Sequence, residues 1–129
     1  MNLLDSDHCI AILRKRLDLR EHVSADEELA TTAISVAELT HGAYRSQRRE
    51  DNLSRLEVLL SVLFILPFDE VAGRRFGVLK AELDARGESL DDLDLQIASI
   101  AIETNSTLLT NNTRHFKRIT GLRLLNWLK

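Results

Sequence analysis

Residues 2–7, Asn-Leu-Leu-Asp-Ser-Asp, constrain the fold more than any other stretch. Asn2 to Leu4 is a short apolar run with turn formers directly behind it, the pattern of a buried strand. Asp5 then stands at that strand's carboxyl end, where open α/β sheets place their ligand crevices. Asp7 precedes the apolar segment Ile10 to Leu13 and reads as its helix N-cap. A chain that opens on a buried strand and finishes it with a carboxylate brings an acid to the sheet edge in its first turn.

The rest of the chain alternates in the same way. The first helix continues into Arg14-Lys15-Arg16, cations that suit a helix carboxyl end. Asp18 to Leu29 reads as a short second helix. Thr31 to Ile34, small and β-branched, is the next strand, and Ser35-Val36-Ala37-Glu38 has capping-box spacing for a helix reaching about Ser46. Leu53, Leu56, Leu60 and Leu63 follow at helical spacing. Phe64-Ile65-Leu66, stopped by Pro67, reads as a buried strand. Asp69 to Arg86 is an amphipathic helix with Gly87 as its C-cap. Leu95 to Ile102 is apolar on nearly every side, the mark of a central helix. Thr107 to Thr110 and Leu122 to Leu125 complete five strands. Strands alternating with helices predict an α/β domain with a mostly parallel sheet, occupying residues 1–129 as one unit.

Composition limits the functional classes. A chain of 129 residues with 44% apolar and 29% charged residues has an ordinary globular balance. A charge interrupts the amino terminus before any signal-peptide core forms, and no stretch approaches the ~20 apolar residues of a membrane span. One cysteine, Cys9, excludes an intramolecular disulfide and fits a reducing, cytoplasmic setting. The net charge of −3 gives no global attraction to nucleic acid, so a role there needs a local basic surface or bound cations.

Four polar positions fall at equivalent places. Asp5 follows strand one, Glu38 lies one helical turn past strand two, Asp94 is in the first turn of the apolar helix, and Asn111 and Asn112 follow strand four. In a parallel sheet these share one edge. Carboxylates gathered there repel by roughly 3 kcal/mol per pair at ~5 Å and an effective dielectric near 20, and a hard cation relieves that cost. Oxygen donors favour Mg²⁺ or Mn²⁺, and such an ion suits phosphodiester hydrolysis. Each residue also has a local alternative: Glu38 as the partner of Ser35 in a capping box, and Asp7, Asp91, Asp92 or Asp94 as complements to a helix amino terminus.

Leu3-Leu4-Asp5-Ser6-Asp7, Ile34-Ser35-Val36-Ala37-Glu38-Leu39, Leu93-Asp94-Leu95-Gln96-Ile97-Ala98 and Leu109-Thr110-Asn111-Asn112-Thr113-Arg114-His115-Phe116 resemble the successive motifs of PIN-domain ribonucleases, and within them the VapC-type toxins of toxin–antitoxin pairs. The resemblance also takes in Phe64 to Asp69 and the closing Gly121 to Trp127. It implies a three-layer α/β/α fold and an acidic pocket for Mg²⁺ or Mn²⁺, with Asp5, Glu38 and Asp94 as the family's three acids and Asn112 at its fourth position. It further implies a structured RNA substrate, a homodimer, and a cognate VapB-like antitoxin whose carboxyl-terminal segment blocks the pocket. In these terms Asp5 and Asp94 hold the metal with Glu38, which orients or deprotonates the attacking water, and Asn112 positions water or phosphate. Asp7, Thr110 and Asp92 are secondary candidates. This chain departs from the family pattern in having Ser6 for the usual Thr, Asp7 for the usual Asn, and Asn112 where Asp is frequent; the last lowers the charge available to a second metal.

The remaining candidates carry less. His8 and Cys9 lack further Cys or spaced His for a zinc set and read as a satisfied or solvent-facing histidine and a buried small residue. His41 reads as a surface residue or the edge of the pocket. Arg45, Arg48, Arg49 and Arg114, with His115, Lys117 and Arg118, are candidates for RNA backbone contacts. Tyr44 is the aromatic nearest the site, and Phe116 reads as core. Asp5-Ser6-Asp7 also prompts a haloacid-dehalogenase-type phosphatase, but no downstream Lys and acidic pair complete that set. A catalytically inert PIN-like protein that only binds antitoxin or RNA is the other alternative.

Overall fold

The protein is described by a computed structural model covering residues 1–128. Five short parallel strands, β1 (Asn2–Leu4), β2 (Leu29–Thr32), β3 (Phe64–Leu66), β4 (Thr107–Leu109) and β5 (Arg123–Leu125), form one sheet in the order β3-β2-β1-β4-β5. All four pairings are parallel. The helices are α1 (Ser6–Leu13), α2 (Ala33–Arg45), α3 (Arg49–Ser61), α4 (Glu70–Ala85), α5 (Asp92–Glu103) and α6 (Thr113–Phe116).

Alternation along the two central strands sorts the core into two layers. Leu3 and Leu108 face one side with α4 and α5, through Ala72, Leu79, Leu83, Ile97 and Ala101. Leu4 and Leu109 face the other with α2 and α3, through Leu39, Leu56 and Leu59. All four strand leucines are fully buried, as both faces of a helix-covered parallel sheet require. The chain leaves β1 toward β2 and β3, then returns to β4 on β1's other side. That reversal opens a crevice between the carboxyl ends of β1 and β4.

Several boundaries differ from the sequence reading, each for a local reason. Asp5, not Asp7, caps α1: its Oδ1 accepts from the Ser6 N–H at 2.8 Å. Arg14 to Arg16 lie beyond α1, which closes with Lys15 at φ +58 and the Arg16 N–H donating to Ala11, a left-handed C-terminal motif usually built on Gly. Gly87 (φ +67) fills that role after α4, with the Glu88 N–H donating to Leu83. Within the segment 18–29 only Leu19–Glu21 is helical, as a 3₁₀ turn, and Leu29 already opens β2. Asp18 caps the turn and pairs with Arg20, and the stretch lacks the apolar face that would dock a longer helix.

β2 ends at Thr32 because its hydroxyl caps α2, accepting from the Ser35 N–H at 3.0 Å. Ala33 and Ile34 are therefore helical, and Ser35 is a buried helix residue rather than a cap. β3 is an edge strand and not a buried one, with Phe64 and Ile65 exposed.

Leu108→Ala, at a fully buried site on a central strand, is expected to cost about 2–5 kcal/mol in urea unfolding. Val58→Ala, 69% exposed on α3, is expected to stay within about 0.5 kcal/mol.

Candidate active site

The crevice between β1 and β4 collects acids from the end of β1 and from helices α1, α2 and α5. Asp5 leaves β1 as the N-cap of α1. Its backbone N–H continues the sheet by donating to Leu109 at 2.9 Å. Thr110, fully buried at the end of β4, donates from Oγ1 to Asp5 Oδ2 at 2.8 Å and accepts from the Asn112 N–H at 3.1 Å. Asp7, in the first turn of α1, reaches the same β4 turn and accepts from the Asn111 N–H at 2.8 Å through Oδ2. Its Oδ1 lies 2.7 Å from His8 Nδ1.

Asp94 enters from the first turn of α5, half-buried, beneath the Asp91 cap. Glu38 projects from α2, and Ser6 Oγ donates to its Oε1 at 2.9 Å. Because α2 starts at Ala33, Glu38 lies past the first turn, and Thr32 already supplies the cap. The capping-box alternative for Glu38 therefore falls away.

The electrostatics follow from this crowding. Burial, then the neighbouring Asp7 and more weakly Asp94, raise the Asp5 carboxyl from 3.8 to about 6, against the hydrogen bonds from Thr110 and Ser6. Asp94 is raised by its burial and by Asp91 and Glu38. For Asp7 burial acts upward, but the hydrogen bonds from His8, the Asn111 N–H and Thr110 together hold it below the usual carboxylate range. Asp5 thus feels the charges of Asp7 and Asp94, and Asp94 those of Glu38 and Asp7, the crowding that a shared cation would relieve. Among the described residues no three His, Cys, Asp or Glu side chains close tightly around a single point. The donor set fits an ion held by one or two carboxylates and completed by water, the habit of Mg²⁺, rather than an all-protein cage.

The other candidates divide. Asn112 sits at the head of α6 and its side chain makes no capping bond there. Asp92 is drawn away from the crevice, accepting from Lys80 Nζ at 2.7 Å. Arg114 and His115 lie on α6 at the carboxyl edge, and His115 is near enough to Asp94 to oppose its upward shift. α2 runs back from that edge, so Arg45 is seven residues or about 10 Å along the helix from Glu38. Arg48 and Arg49 are farther still. Arg48 lies 3.9 Å from Asp51, and Arg49 packs over the Tyr44 ring. Phe116 is fully buried core, and His41 is exposed.

Residues to which the sequence assigns no role in the chemistry also frame the site. A groove of about 420 Å³ leads from Ser6 and Glu38 along α2, floored by Leu39, Ala43 and Leu56 and flanked by Arg14 and Arg55. His8, which the sequence reads as either satisfied or solvent-facing, is wholly buried with both ring nitrogens hydrogen-bonded. Trp127 and Asn126 touch His8 and Asn111; the resemblance includes both residues but not these contacts, because a long-range contact leaves no local pattern.

The PIN domain family matches residues 3–122. Ribonuclease VapC2 of Rickettsia felis is 37% identical over 97% of this chain and 96% of the relative. The tRNA(fMet)-specific endonuclease VapC of Shigella flexneri is 33% identical over the same shares. Among solved structures, VapBC2 from Rickettsia felis bound to a promoter DNA fragment superposes with a TM-score of 0.89 at 36% identity, covering 98% of both chains. DNA-bound VapBC from Salmonella typhimurium gives 0.90 at 31% identity, covering 98% of this chain and 97% of that one. With matches of this length and an acidic crevice at the β1–β4 switch point, the chain belongs to the PIN-domain family, as one of the VapC ribonucleases of toxin–antitoxin pairs.

Proposed function

We propose that this VapC protein is a cytoplasmic, Mg²⁺- or Mn²⁺-dependent endoribonuclease that cleaves structured RNA and is restrained by a VapB-like antitoxin. The observation that carries the metal requirement is Asp5, an acid buried beside Asp7 and within reach of Asp94. A bound divalent ion supplies positive charge to the scissile phosphate and acidifies the attacking water. Asp5 and Asp94, from β1 and α5, would hold that ion together with Glu38, whose charge reaches Asp94. Thr110 fixes one Asp5 oxygen and the Ser6 N–H the other, so the carboxylate keeps one orientation. Glu38, steadied by Ser6, takes a proton from water as general base. Asn112, whose backbone is tied to Thr110, directs its amide toward a phosphate oxygen.

A tRNA-like substrate is favoured because a curated relative carries that specificity in its name. Arg114 at the site edge, and Arg14 and Arg55 along the groove, are suited to the RNA backbone. The groove's apolar floor fits an antitoxin segment lying beside Glu38. The exposed row Val58, Val62, Phe64 and Ile65 suits pairing of two copies across the β3 edge.

Purified, antitoxin-free protein incubated with a small-RNA pool in Mg²⁺ or Mn²⁺ is expected to give discrete fragments, lost with EDTA. Asp5→Asn, folded by circular dichroism, is expected to lower the rate by about 100-fold or more, beyond what loss of an outer-shell partner costs. Wild-type cleavage rates in the variant would sink the assignment; absence of cleavage in either metal would favour the binding-only reading.

Asp5 also predicts how the metal-free protein responds to pH. Its carboxyl ionises near 3.8 when unfolded and near 6 when folded, so the folded state binds the proton more tightly and loses stability as pH rises between those values. At 1.36 kcal/mol per unit the loss is about 3 kcal/mol at most. In EDTA at pH 7.5, Asp5→Asn is expected to unfold at higher urea than wild type, with the difference vanishing near pH 4. Equal midpoints at both pH values would show that Asp5 is not held against its charge.

A further inference from the structure

The last described residues cross the carboxyl edge of the sheet and are pinned at three points. Asn126 Nδ2 donates to Asn111 Oδ1 at 3.0 Å. The Trp127 backbone N–H donates to His8 Nε2 at 3.1 Å. The Trp127 indole stacks on His22, with centroids 4.7 Å apart and planes 12° from parallel.

The middle contact determines the state of His8. A backbone N–H can only donate, so Nε2 must offer a lone pair and the ring proton sits on Nδ1. Nδ1 lies 2.7 Å from Asp7 Oδ1 and donates to it. The His8–Asp7 contact is therefore a neutral-imidazole hydrogen bond rather than an ion pair of two charged groups, and both ring nitrogens of a fully buried residue are satisfied. Asp7 passes the restraint on: its Oδ2 takes the Asn111 N–H, gripping the turn between Thr110 and Asn112. That turn supplies the hydroxyl on Asp5 Oδ2 and the amide at the site edge. Five groups are thus linked in series, from the Trp127 backbone through His8, Asp7 and the Asn111 turn to Asp5.

We propose that His8 is a positioning residue for the nuclease reaction: the carboxyl-terminal segment locks it as the Nδ1–H tautomer, and in that form it holds Asp7, and through Asp7 the Thr110–Asn112 turn, in register with Asp5. In metal sites generally, the hydrogen bond made by one ring nitrogen sets the role of the other, and outer partners orient the acids that act. The proposal rests on the nuclease reading above. It gives Asp7 a use that does not require it to bind a cation, since both of its oxygens are already engaged by protein donors.

Two readouts test it. In full-length protein with ¹⁵N-labelled histidine, the His8 resonances at pH 7 are expected to show a protonated Nδ1 and an unprotonated Nε2. The Nε2–H tautomer or an imidazolium would overturn the proposal, whether or not the protein cleaves RNA. In the RNA assay, His8→Asn keeps an amide nitrogen where Nδ1 stands, while His8→Gln places its amide at the Nε2 end. The expected result is a kcat within about threefold of wild type for His8→Asn and at least tenfold lower for His8→Gln, with KM changed less than twofold in both. Equal losses in the two variants, or a change confined to KM, would overturn the positioning role. A wild-type protein that cleaves nothing would instead remove the nuclease reading, and with it the positioning claim, leaving only the tautomer established by the spectrum.

Discussion

The structure depends on holding Asp5 and Asp7, two carboxylates two residues apart, at the tip of a strand buried on both faces. Leu3 and Leu4 are fully inaccessible, so the chain has no freedom to swing Asp5 into water without tearing β1 from the sheet. The fold compensates with donors. Asp5 receives the Ser6 N–H and the Thr110 hydroxyl, and Asp7 receives His8 and the Asn111 N–H. Among the described residues no buried side-chain nitrogen or oxygen lacks a partner, which is what makes so polar a crevice compatible with a small core.

These donors do not treat the two acids alike. Asp7 is held low in pKa and Asp5 high, because hydrogen bonds outweigh burial at Asp7 and fall short of it at Asp5. A pair driven apart in this way divides labour: one acid stays charged and braces the turn, while the other has unmet charge for a cation to answer. On the proposed role of Asp5, stability and activity pull against each other there, the usual condition of a site built from buried charge.

Much of this was legible in the chain because it rests on short-range rules. The run Asn2–Leu4, the apolar helix after Asp94 and the Gly87 stop are recognised from residue type and spacing alone, and the structure places all three as expected. Errors came where two local devices compete. Thr32 and Ser35 are both good caps, and only the docking of β2 against β1 determines that Thr32 stays extended and Ser35 is buried. The segment 18–29 contains helix formers, but helix formation there needed a face to dock, and none was available. Phe64-Ile65-Leu66 has the composition of a central strand, yet strand order is a property of the whole chain and leaves β3 at the edge.

The sequence by itself determined the alternation of strands and helices and the order in which Asp5, Glu38, Asp94 and Asn112 reach the carboxyl edge, because both follow from periodicity and from the parallel sheet that periodicity implies. The tertiary structure alone decided which acids share a field, that Asp92 turns to Lys80 and Glu38 to Ser6, and that the Trp127 backbone closes on His8 across 119 positions. Those outcomes depend on where side chains of distant segments come to lie, and the free energy of burying them is shared by the whole core, so no local pattern records it.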